Sequence, residues 1–413
     1  MTDRQKTVAI VGTLDTKGLE FKFLKEQIEA HDVATIVINV GILSKPFFIP
    51  DVSAAEVAKA AGEDLQHLIK EGDRGHSVTV MCRGAAAIVE DLYRKGKFHG
   101  IISMGGGAGT TIGTTAMKAL PIGVPKLMIS TGASGDTRPY VGSKDITMMP
   151  SIVDIAGINR FSRQILANAA GAIAGMVKVE VAAKAQEKPM IAATMFGVTT
   201  PCVTKARKIL ETKGYEVLVF HSNGIGGQSM EELIRSGLFE GVLDITTTEL
   251  ADELVGGMRS AGPNRLEAAG EIGVPQVVSA GALDMVNFGP PETVPDKFKG
   301  RQFYKHTPTT TLMRTTKEEN EQLGNLIAEK LNRAKGPVTF IMPLIGVSFI
   351  DREEQPFYNA EADAAFLKGL KSTLADKVKL VEVDIDINNP QFAAKAVDLL
   401  LESLKENKQE VRS

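Results

Sequence analysis

The residues best suited to bind an anion lie in a glycine-rich segment that follows a short apolar run. Glycine fills four of its first five positions and two threonines come next, at Gly105, Gly106, Gly107, Gly109, Thr110 and Thr111. Backbone N–H groups without nearby side chains can approach a phosphate or carboxylate closely, and threonine hydroxyls add donors or a ligand for magnesium. The spacing does not fit Gly-x-Gly-x-x-Gly. We predict an anion-binding loop here rather than a plain turn.

A second candidate loop lies after the apolar residues 8–11 and leads into a helix-length segment. Its small, polar and charged residues are Gly12, Thr13, Asp15, Thr16 and Lys17. Thr16 can cap the helix, the N–H groups of the first turn favour a phosphate, and Lys17 adds a positive charge. The P-loop pattern is missing, and a capped turn without a ligand would have the same residues. Both interpretations stay open at this point.

Two more segments follow predicted strands and are expected at the same edge of the sheet. Small and hydroxyl-bearing residues follow residues 126–130, at Thr131, Gly132, Ser134, Gly135 and Asp136. Arg83 and Gly84 follow residues 78–81, and the planar guanidinium of Arg83 suits a phosphate or carboxylate, or could pair with Asp136. Asp15 or Asp136 could hold magnesium, directly or through water.

The second half of the chain has a comparable loop after residues 216–220. His221 opens this loop, and its small residues are Asn223, Gly224, Gly226 and Gly227. The pattern is a relaxed dinucleotide motif that favours a phosphate more than NAD, because it lacks the acidic residue that would hold a ribose. His221 could act as a base or contact a ligand, and a histidine bonded to the neighbouring backbone is the alternative.

Acidic and hydroxyl-bearing residues end the next two strands of the second half. Asp244 and residues 246–249 close one strand, and residues 281–284, which end at Asp284, close the other. Such a rim suits magnesium or a polar substrate, and helix capping is the commoner use of carboxylates there.

Short β-branched runs alternate with helix-length amphipathic stretches throughout the chain, which predicts parallel strands covered on both faces by helices. The predicted strands are residues 8–11, 35–39, 78–81, 100–104, 126–130, 190–195, 216–220, 241–245, 276–279, 338–342 and 379–383. In an open parallel sheet, ligands bind beyond the carboxyl ends of the strands. The candidate loops all follow predicted strands, so the fold class α/β and the site hypotheses agree.

The two halves of the chain resemble each other. Residues 8–39 match residues 190–221 at an offset of 182, and residues 98–102 match residues 239–243 at an offset of 141. The first half therefore carries about 41 extra residues, which we place in residues 43–78. We predict two doubly wound, Rossmann-like parallel-sheet domains, residues 1–185 and 186–413, with a deep cleft between them that the candidate loops face. Convergence between unrelated α/β units is the alternative explanation of the match.

Composition excludes several classes of function. The chain has 413 residues with 47 basic and 50 acidic side chains, so it lacks the basic surplus of a nucleic-acid-binding protein. Two cysteines indicate a reducing, cytoplasmic setting, and no apolar run has the length of a membrane span or a signal peptide. The six histidines have no zinc-ligand spacing, and Cys202 is expected to be structural.

Several strings resemble a known family. They are residues 12–17, 105–111, 282–288, 311–314, 356–358 and 361–363. The sequence resembles the N-terminal ATP-binding domain of the tomato mosaic virus resistance protein and its bacterial relatives. The resemblance implies two Rossmann-like subdomains, dimerisation, and ATP bound with magnesium on segments 12–17, 105–111 and 131–136. The family pattern has Ala-Thr where Ser222-Asn223 stand here, so the resemblance gives this loop no role.

We therefore expect a cytoplasmic nucleotide-binding protein that holds ATP and magnesium and forms a homodimer or higher homo-oligomer, without nucleic-acid or membrane partners. Two alternatives stay open. One is an enzyme of ligase or phosphoryl-transfer type that acts on a small carboxylate and uses His221 as its base. The other is a scaffold in which the nucleotide controls a protein-interaction surface.

Overall fold

The computed structural model describes residues 5–180 and 187–410, and of Glu410 only the backbone. The chain divides into two compact units, Met1–Ala182 and Ala183–Ser413, which are called unit 1 and unit 2 below. The boundary predicted between residues 185 and 186 lies outside the described residues and stays a prediction. Within the described residues, no helix has the combination of length and apolar character needed to cross a membrane.

Unit 1 is built on a five-stranded parallel sheet with the order β2-β1-β3-β4-β5. Its strands are β1 (Thr7–Gly12), β2 (Ala34–Asn39), β3 (Gly100–Gly105), β4 (Lys126–Ser130) and β5 (Thr147–Pro150). Its helices are α1 (Gly18–Glu29), α2 (Ala54–Ala60), α3 (Leu65–Glu71), α4 (Arg74–Arg94), α5 (Gly107–Lys118), α6 (Arg138–Val141) and α7 (Arg160–Lys178).

Alternate residues of the unit 1 strands enter two apolar cores on opposite faces of the sheet. Ala9 and Val11 of β1 pack with residues of α4 and α5. Val8 and Ile10 pack with residues of α1 and α7. Because side chains on a strand point alternately to the two faces, a strand buried on both faces needs an unbroken apolar run. This confirms the fold class predicted from the continuous runs.

Unit 2 combines a six-stranded parallel sheet, ordered β14-β13-β9-β8-β6-β7, with a small antiparallel sheet, ordered β10-β12-β11. Its strands are β6 (Met190–Met195), β7 (Glu216–His221), β8 (Phe239–Thr246), β9 (Gln276–Gly281), β10 (Met285–Phe288), β11 (Phe303–Thr307), β12 (Thr310–Arg314), β13 (Val338–Pro343) and β14 (Lys379–Val383). Its helices are α8 (Thr200–Thr212), α9 (Ile225–Arg235), α10 (Thr248–Val255), α11 (Ala268–Ile272), α12 (Lys317–Asn332), α13 (Ala360–Thr373) and α14 (Pro390–Glu410).

The two parallel sheets share their topology. The order β2-β1-β3-β4-β5 of unit 1 is repeated in unit 2 as β7-β6-β8-β9-β13. The offset of 141 also holds at the turn after the third strand, because β3 ends at Gly105 and β8 at Thr246, while α5 begins at Gly107 and α10 at Thr248. The predicted extra segment of the first half contains α2, α3 and the start of α4, where unit 2 has α9 alone between β7 and β8.

The structure corrects one predicted strand and adds elements that the sequence did not reveal. Residues 78–81 lie inside the long helix α4, which Asp73 caps by accepting a hydrogen bond from the His76 N–H. The β-branched run at 78–81 suggested a strand, yet only Val80 and Met81 of it are fully buried, on one face of the helix. Strand β5 and the small antiparallel sheet were not predicted.

Candidate functional site

A cavity of about 630 Å³ opens in unit 1 beyond the carboxyl ends of β1 and β3. Its glycine-rich side consists of residues 105–109. Its polar residues are Thr13, Asp15, Thr16, Lys17, Arg74, Ser77 and Asp154. Its apolar wall contains Val40, Ile42, Leu43, Leu68, Ile69, Val78, Met81 and Ile112. The structure thus brings together the glycine-rich loop and the loop after β1, which are both candidate phosphate sites from the sequence. It adds a large apolar surface beside them.

The first turn of α5 supplies the anion-binding groups of this cavity. Its N-cap is Gly106, so no side chain caps the helix. The N–H groups of the first turn have no partner within a helix, and a Cβ on Gly107 would meet no atom within 4 Å. Gly105 has a different role, because a Cβ there would lie 2.6 Å from the Gly109 Cα. Glycine is therefore needed both to open the turn and to let the strand end approach the helix.

The two threonines of this loop do not serve the cavity. The Thr110 hydroxyl is buried and bonds to the Gly105 carbonyl at 3.2 Å and to the Ser130 hydroxyl at 2.7 Å. The Thr111 hydroxyl donates to the Gly107 carbonyl at 2.9 Å. The expectation that these hydroxyls face a ligand is wrong, because the helix and the neighbouring strand end use them.

The loop after β1 places Thr13, Thr16 and Lys17 on the cavity. Lys17 itself is the N-cap of α1 and gives no side-chain cap, so the predicted capping by Thr16 is wrong. The Thr16 hydroxyl instead donates to the Thr13 hydroxyl at 3.0 Å. The Lys17 ammonium donates to the Ile155 carbonyl, which keeps the positive charge beside the cavity. Gly12 does not line the cavity, since its Cβ position is filled by the ring of Phe21 at 2.1 Å.

Two carboxylates line the cavity, and one of them was missed by sequence reasoning. Asp15 accepts hydrogen bonds from the N–H groups of Thr16 at 2.8 Å and Leu43 at 2.7 Å, and so fastens the loop after β2. Asp154 accepts from the Ile155 N–H at 2.8 Å. It follows β5, whose four residues gave no recognisable strand pattern. Among the described residues, no three His, Cys, Asp or Glu side chains are grouped to hold a metal. Mg²⁺ commonly binds one or two carboxylates together with substrate phosphates and water, and the predicted magnesium stays a prediction.

The third predicted segment does not line the cavity. Thr131 lies next to the glycine loop, because a Cβ on Gly106 would be 3.8 Å from its hydroxyl oxygen. Asp136 is an exposed partner of Arg138, whose guanidinium donates to it at 2.9 and 2.8 Å and lowers the pKa of Asp136 to about 2. The magnesium role predicted for Asp136 therefore has no support in its position, and Gly132, Ser134 and Gly135 share this location outside the cavity lining.

Arg83 and Gly84 are also displaced from their predicted place, because they lie within α4. The Arg83 guanidinium donates to the Ala61 carbonyl at 2.8 Å. A Cβ on Gly84 would lie 2.0 Å from the Val57 carbonyl oxygen, so this glycine allows α4 to pack against α2. The arginine that does line the cavity is Arg74, at the start of the same helix. Recognising Asp73 as a helix cap would have pointed to it.

In unit 2, a glutamate side chain occupies the N–H groups of the loop that the sequence predicted as a phosphate site. Glu249 occupies the place of Ala108 by the offset of 141, and it accepts hydrogen bonds from the N–H groups of Gly224 at 2.7 Å and Gly227 at 3.1 Å. The fully buried Arg265 donates to Glu249 at 2.7 Å. Asp244 accepts two further bonds from the same guanidinium, at 2.6 and 2.8 Å. The predicted phosphate loop of the second half is therefore closed by an internal carboxylate.

The other residues of that loop have structural contacts. The Asn223 side chain accepts a hydrogen bond from the Gly226 N–H at 3.0 Å. A Cβ on Gly226 would lie 1.9 Å from the His221 carbonyl oxygen. The His221 ring stacks on Phe196 at 5.4 Å, and burial together with the charge of Arg259 lowers the pKa of His221. The lowered pKa favours the neutral form of the imidazole, and the role of His221 as a base stays a prediction.

Two α/β units with one topology, the first carrying a glycine-lined cavity at strand ends, define a protein of the Rossmann-like class. The chain belongs to the uncharacterised protein family UPF0261, whose N-terminal domain matches residues 6–182 and whose C-terminal domain matches residues 188–404. This confirms the family that the sequence strings indicated.

Relatives of the chain come from bacteria and from tomato. A UPF0261 protein of Clostridium tetani is 56% identical over 389 residues, which cover 94% of this chain and 96% of that protein. The ToMV resistance protein Tm-1(GCR237) of Solanum lycopersicum is 38% identical over 419 residues, which cover 96% of this chain and 55% of that protein. A UPF0261 protein of Rhizobium meliloti is 44% identical over 394 residues, covering 95% of this chain and 98% of that protein.

Proposed function

We propose that the cavity of unit 1 binds ATP together with Mg²⁺. The observation that carries this proposal is the uncapped first turn of α5, where glycines expose backbone N–H groups to a cavity of about 630 Å³. Helix N-termini favour phosphates because free N–H groups and the helix dipole act together. The cavity also lies beyond the carboxyl ends of β1 and β3, the neighbouring strands between which the strand order reverses. Doubly wound sheets bind their ligands at this switch point.

The charges around the cavity explain why magnesium belongs to the proposal. Lys17 and Arg74 are matched by Asp15 and Asp154, so the lining has no net positive charge of its own. A bare polyphosphate would meet two carboxylates, whereas a bound Mg²⁺ neutralises phosphate charge and uses carboxylates as ligands. We therefore place the metal between the phosphates and these two side chains.

The apolar wall supplies a surface for the base. The apolar residues of this wall include Leu68 and Ile69 of α3 and Val78 and Met81 of α4. Ligand pockets usually measure roughly 300–1,000 Å³ and combine apolar walls with a few polar groups. A nucleotide has the same division between a polyanionic end and a flat, largely apolar end. Helix α3 and the first turns of α4, which lie in the extra segment of unit 1, would thus provide the base-binding part.

The proposal is tested by isothermal titration calorimetry on the full chain. We expect ATP to bind in the presence of MgCl₂ and to bind more weakly in its absence, and adenosine to bind more weakly than ATP. Folded protein that releases no heat with ATP and magnesium would overturn the proposal. Analysis of the titrated mixture for ADP and phosphate then separates an enzyme from a binding protein, and the expected homodimer and second substrate stay predictions.

A further inference from the structure

Unit 2 contains a separate cavity of about 250 Å³ that the nucleotide proposal does not use. It lies at the carboxyl end of β13, between the turn that follows this strand and the first turn of α13. Its walls are apolar, with Met342, Ile345 and Leu367 among them, and Tyr358 stands at its edge. Asp363 is the one residue of this lining with a carboxyl group.

Behind Asp363 lies a cluster of buried charged groups. The Arg314 guanidinium donates to Asp363 at 2.8 Å and to Asp351 at 3.1 Å. Asp284 is fully buried and is close enough to Asp351 and Arg314 to feel their charges. One of its oxygens accepts a hydrogen bond from the Ser348 hydroxyl at 2.9 Å. Three strings that carried the family resemblance meet here, because Asp284, Arg314 and Asp363 belong to residues 282–288, 311–314 and 361–363.

This cluster has fewer positive than negative groups. Three carboxyl groups surround one guanidinium, and the second oxygen of Asp284 is buried without a hydrogen-bond partner in the described part of the chain. Burial and the charge of Asp351 raise the pKa of Asp363 to about 7, and burial raises that of Asp284 well above its usual range. Burial and the excess of carboxyl groups thus both favour the protonated forms of Asp284 and Asp363.

We propose that this cavity binds a small organic cation, a primary amine with an apolar body, whose ammonium group pairs with the carboxylate of Asp363. Asp363 is the member of the cluster that lines the cavity, and the walls around it suit a hydrocarbon chain. A metal ion fits less well, because the described residues contain no group of three metal-ligating side chains. The site lies beyond the end of a parallel strand, where α/β sheets bind their ligands.

The test uses n-butylammonium chloride and, as a neutral probe of the same length, n-butanol, with binding followed by ligand-observed NMR. We expect the ammonium to bind at about pH 8 and about tenfold more weakly at about pH 6, because Asp363 is largely protonated there while the amine stays charged. The butanol should bind weakly at both pH values. Equal binding of the two probes, equal binding at both pH values, or no binding of the ammonium at about 10 mM would overturn the proposal.

Three variants locate the site. Asp363→Asn keeps the shape of the side chain and an acceptor for Arg314, and it should abolish the pH dependence and most of the ammonium binding. Asp376→Asn, at an exposed position of the same unit, should leave both unchanged. Ala364→Leu fills the cavity from an exposed helical position without touching the charge cluster, so it keeps the assay informative if the Asp363 variant unfolds. Unchanged ammonium binding in Ala364→Leu would contradict the proposed location.

Discussion

The substitution Ala108→Glu tests whether the first turn of α5 holds the phosphates. In unit 2 the residue at the equivalent position is Glu249, whose carboxylate lies beyond the strand ends and accepts hydrogen bonds from Gly224 and Gly227 at the start of the neighbouring helix α9. A glutamate at 108 would enter the cavity of unit 1, since Ala108 lines it. The variant should fold, because a carboxylate in the first turn of a helix interacts favourably with the helix dipole, by about 0.3–1 kcal/mol.

The expected loss of affinity follows from the charge. At an effective dielectric constant of about 20 and a separation of about 5 Å, two unit charges repel by about 3 kcal/mol. Salt reduces this value, so we expect ATP with magnesium to bind about 100-fold more weakly to Ala108→Glu. Ala108→Gln is the matched control, because it adds nearly the same volume without the charge, and it should lose less than about fivefold.

Titration calorimetry with ATP and MgCl₂ measures both variants against the unsubstituted chain, and thermal unfolding shows that all three are folded. The difference in ATP affinity between the glutamate and glutamine variants separates the effect of the charge from the effect of the added volume. Affinities of the two variants within about threefold of each other would contradict phosphate binding at the first turn of α5, because a carboxylate at residue 108 would repel a phosphate bound there.

The remaining predictions concern the cavity and the buried charges. Lys17→Ala should weaken ATP binding by about tenfold, whereas Arg83→Ala should leave it unchanged in the same titration, because Arg83 bonds to the Ala61 carbonyl outside the cavity; equal losses would contradict this placement. Arg265→Ala leaves buried carboxylates unpaired and should lower the free energy of unfolding by about 3–5 kcal/mol in urea, and a loss below about 1 kcal/mol would speak against the network. Burial raises the pKa of Asp252 to about 7, above its value in the unfolded chain, so its ionisation opposes folding and stability should fall as pH rises from about 4 to about 7. Asp252→Asn should flatten that part of the stability profile, and a profile parallel to that of the unsubstituted chain would show that the pKa is not raised.

The strands and the glycine loop could be predicted from the sequence because the signal is local. Residues 8–11 form an unbroken apolar run, and residues 100–104 form one that only Ser103 interrupts. A strand buried on both faces requires such runs. The glycines at 105–109 reflect a close approach, as the short Gly105–Gly109 contact shows. Local composition therefore identified both the sheet and the turn that faces the cavity.

The errors come from partners that are distant in sequence. Residues 78–81 have strand-like composition, but their environment inside α4 is set by packing on other helices. The loop at 221–227 looked like a phosphate site because nothing local shows that Glu249 closes it. Asp136 looked like a magnesium ligand, although its neighbour Arg138 holds it. In each case the contact that decides the role of the side chain is not visible in the local sequence.

A crystal structure of the full chain with magnesium and a non-hydrolysable ATP analogue would show whether the cavity of unit 1 binds the nucleotide. We expect phosphate oxygens about 2.7–3.2 Å from backbone nitrogens of residues 107–109, the base against Leu68 and Met81, and Mg²⁺ near Asp15 and Asp154. A nucleotide bound elsewhere on the chain while this cavity holds none would contradict it.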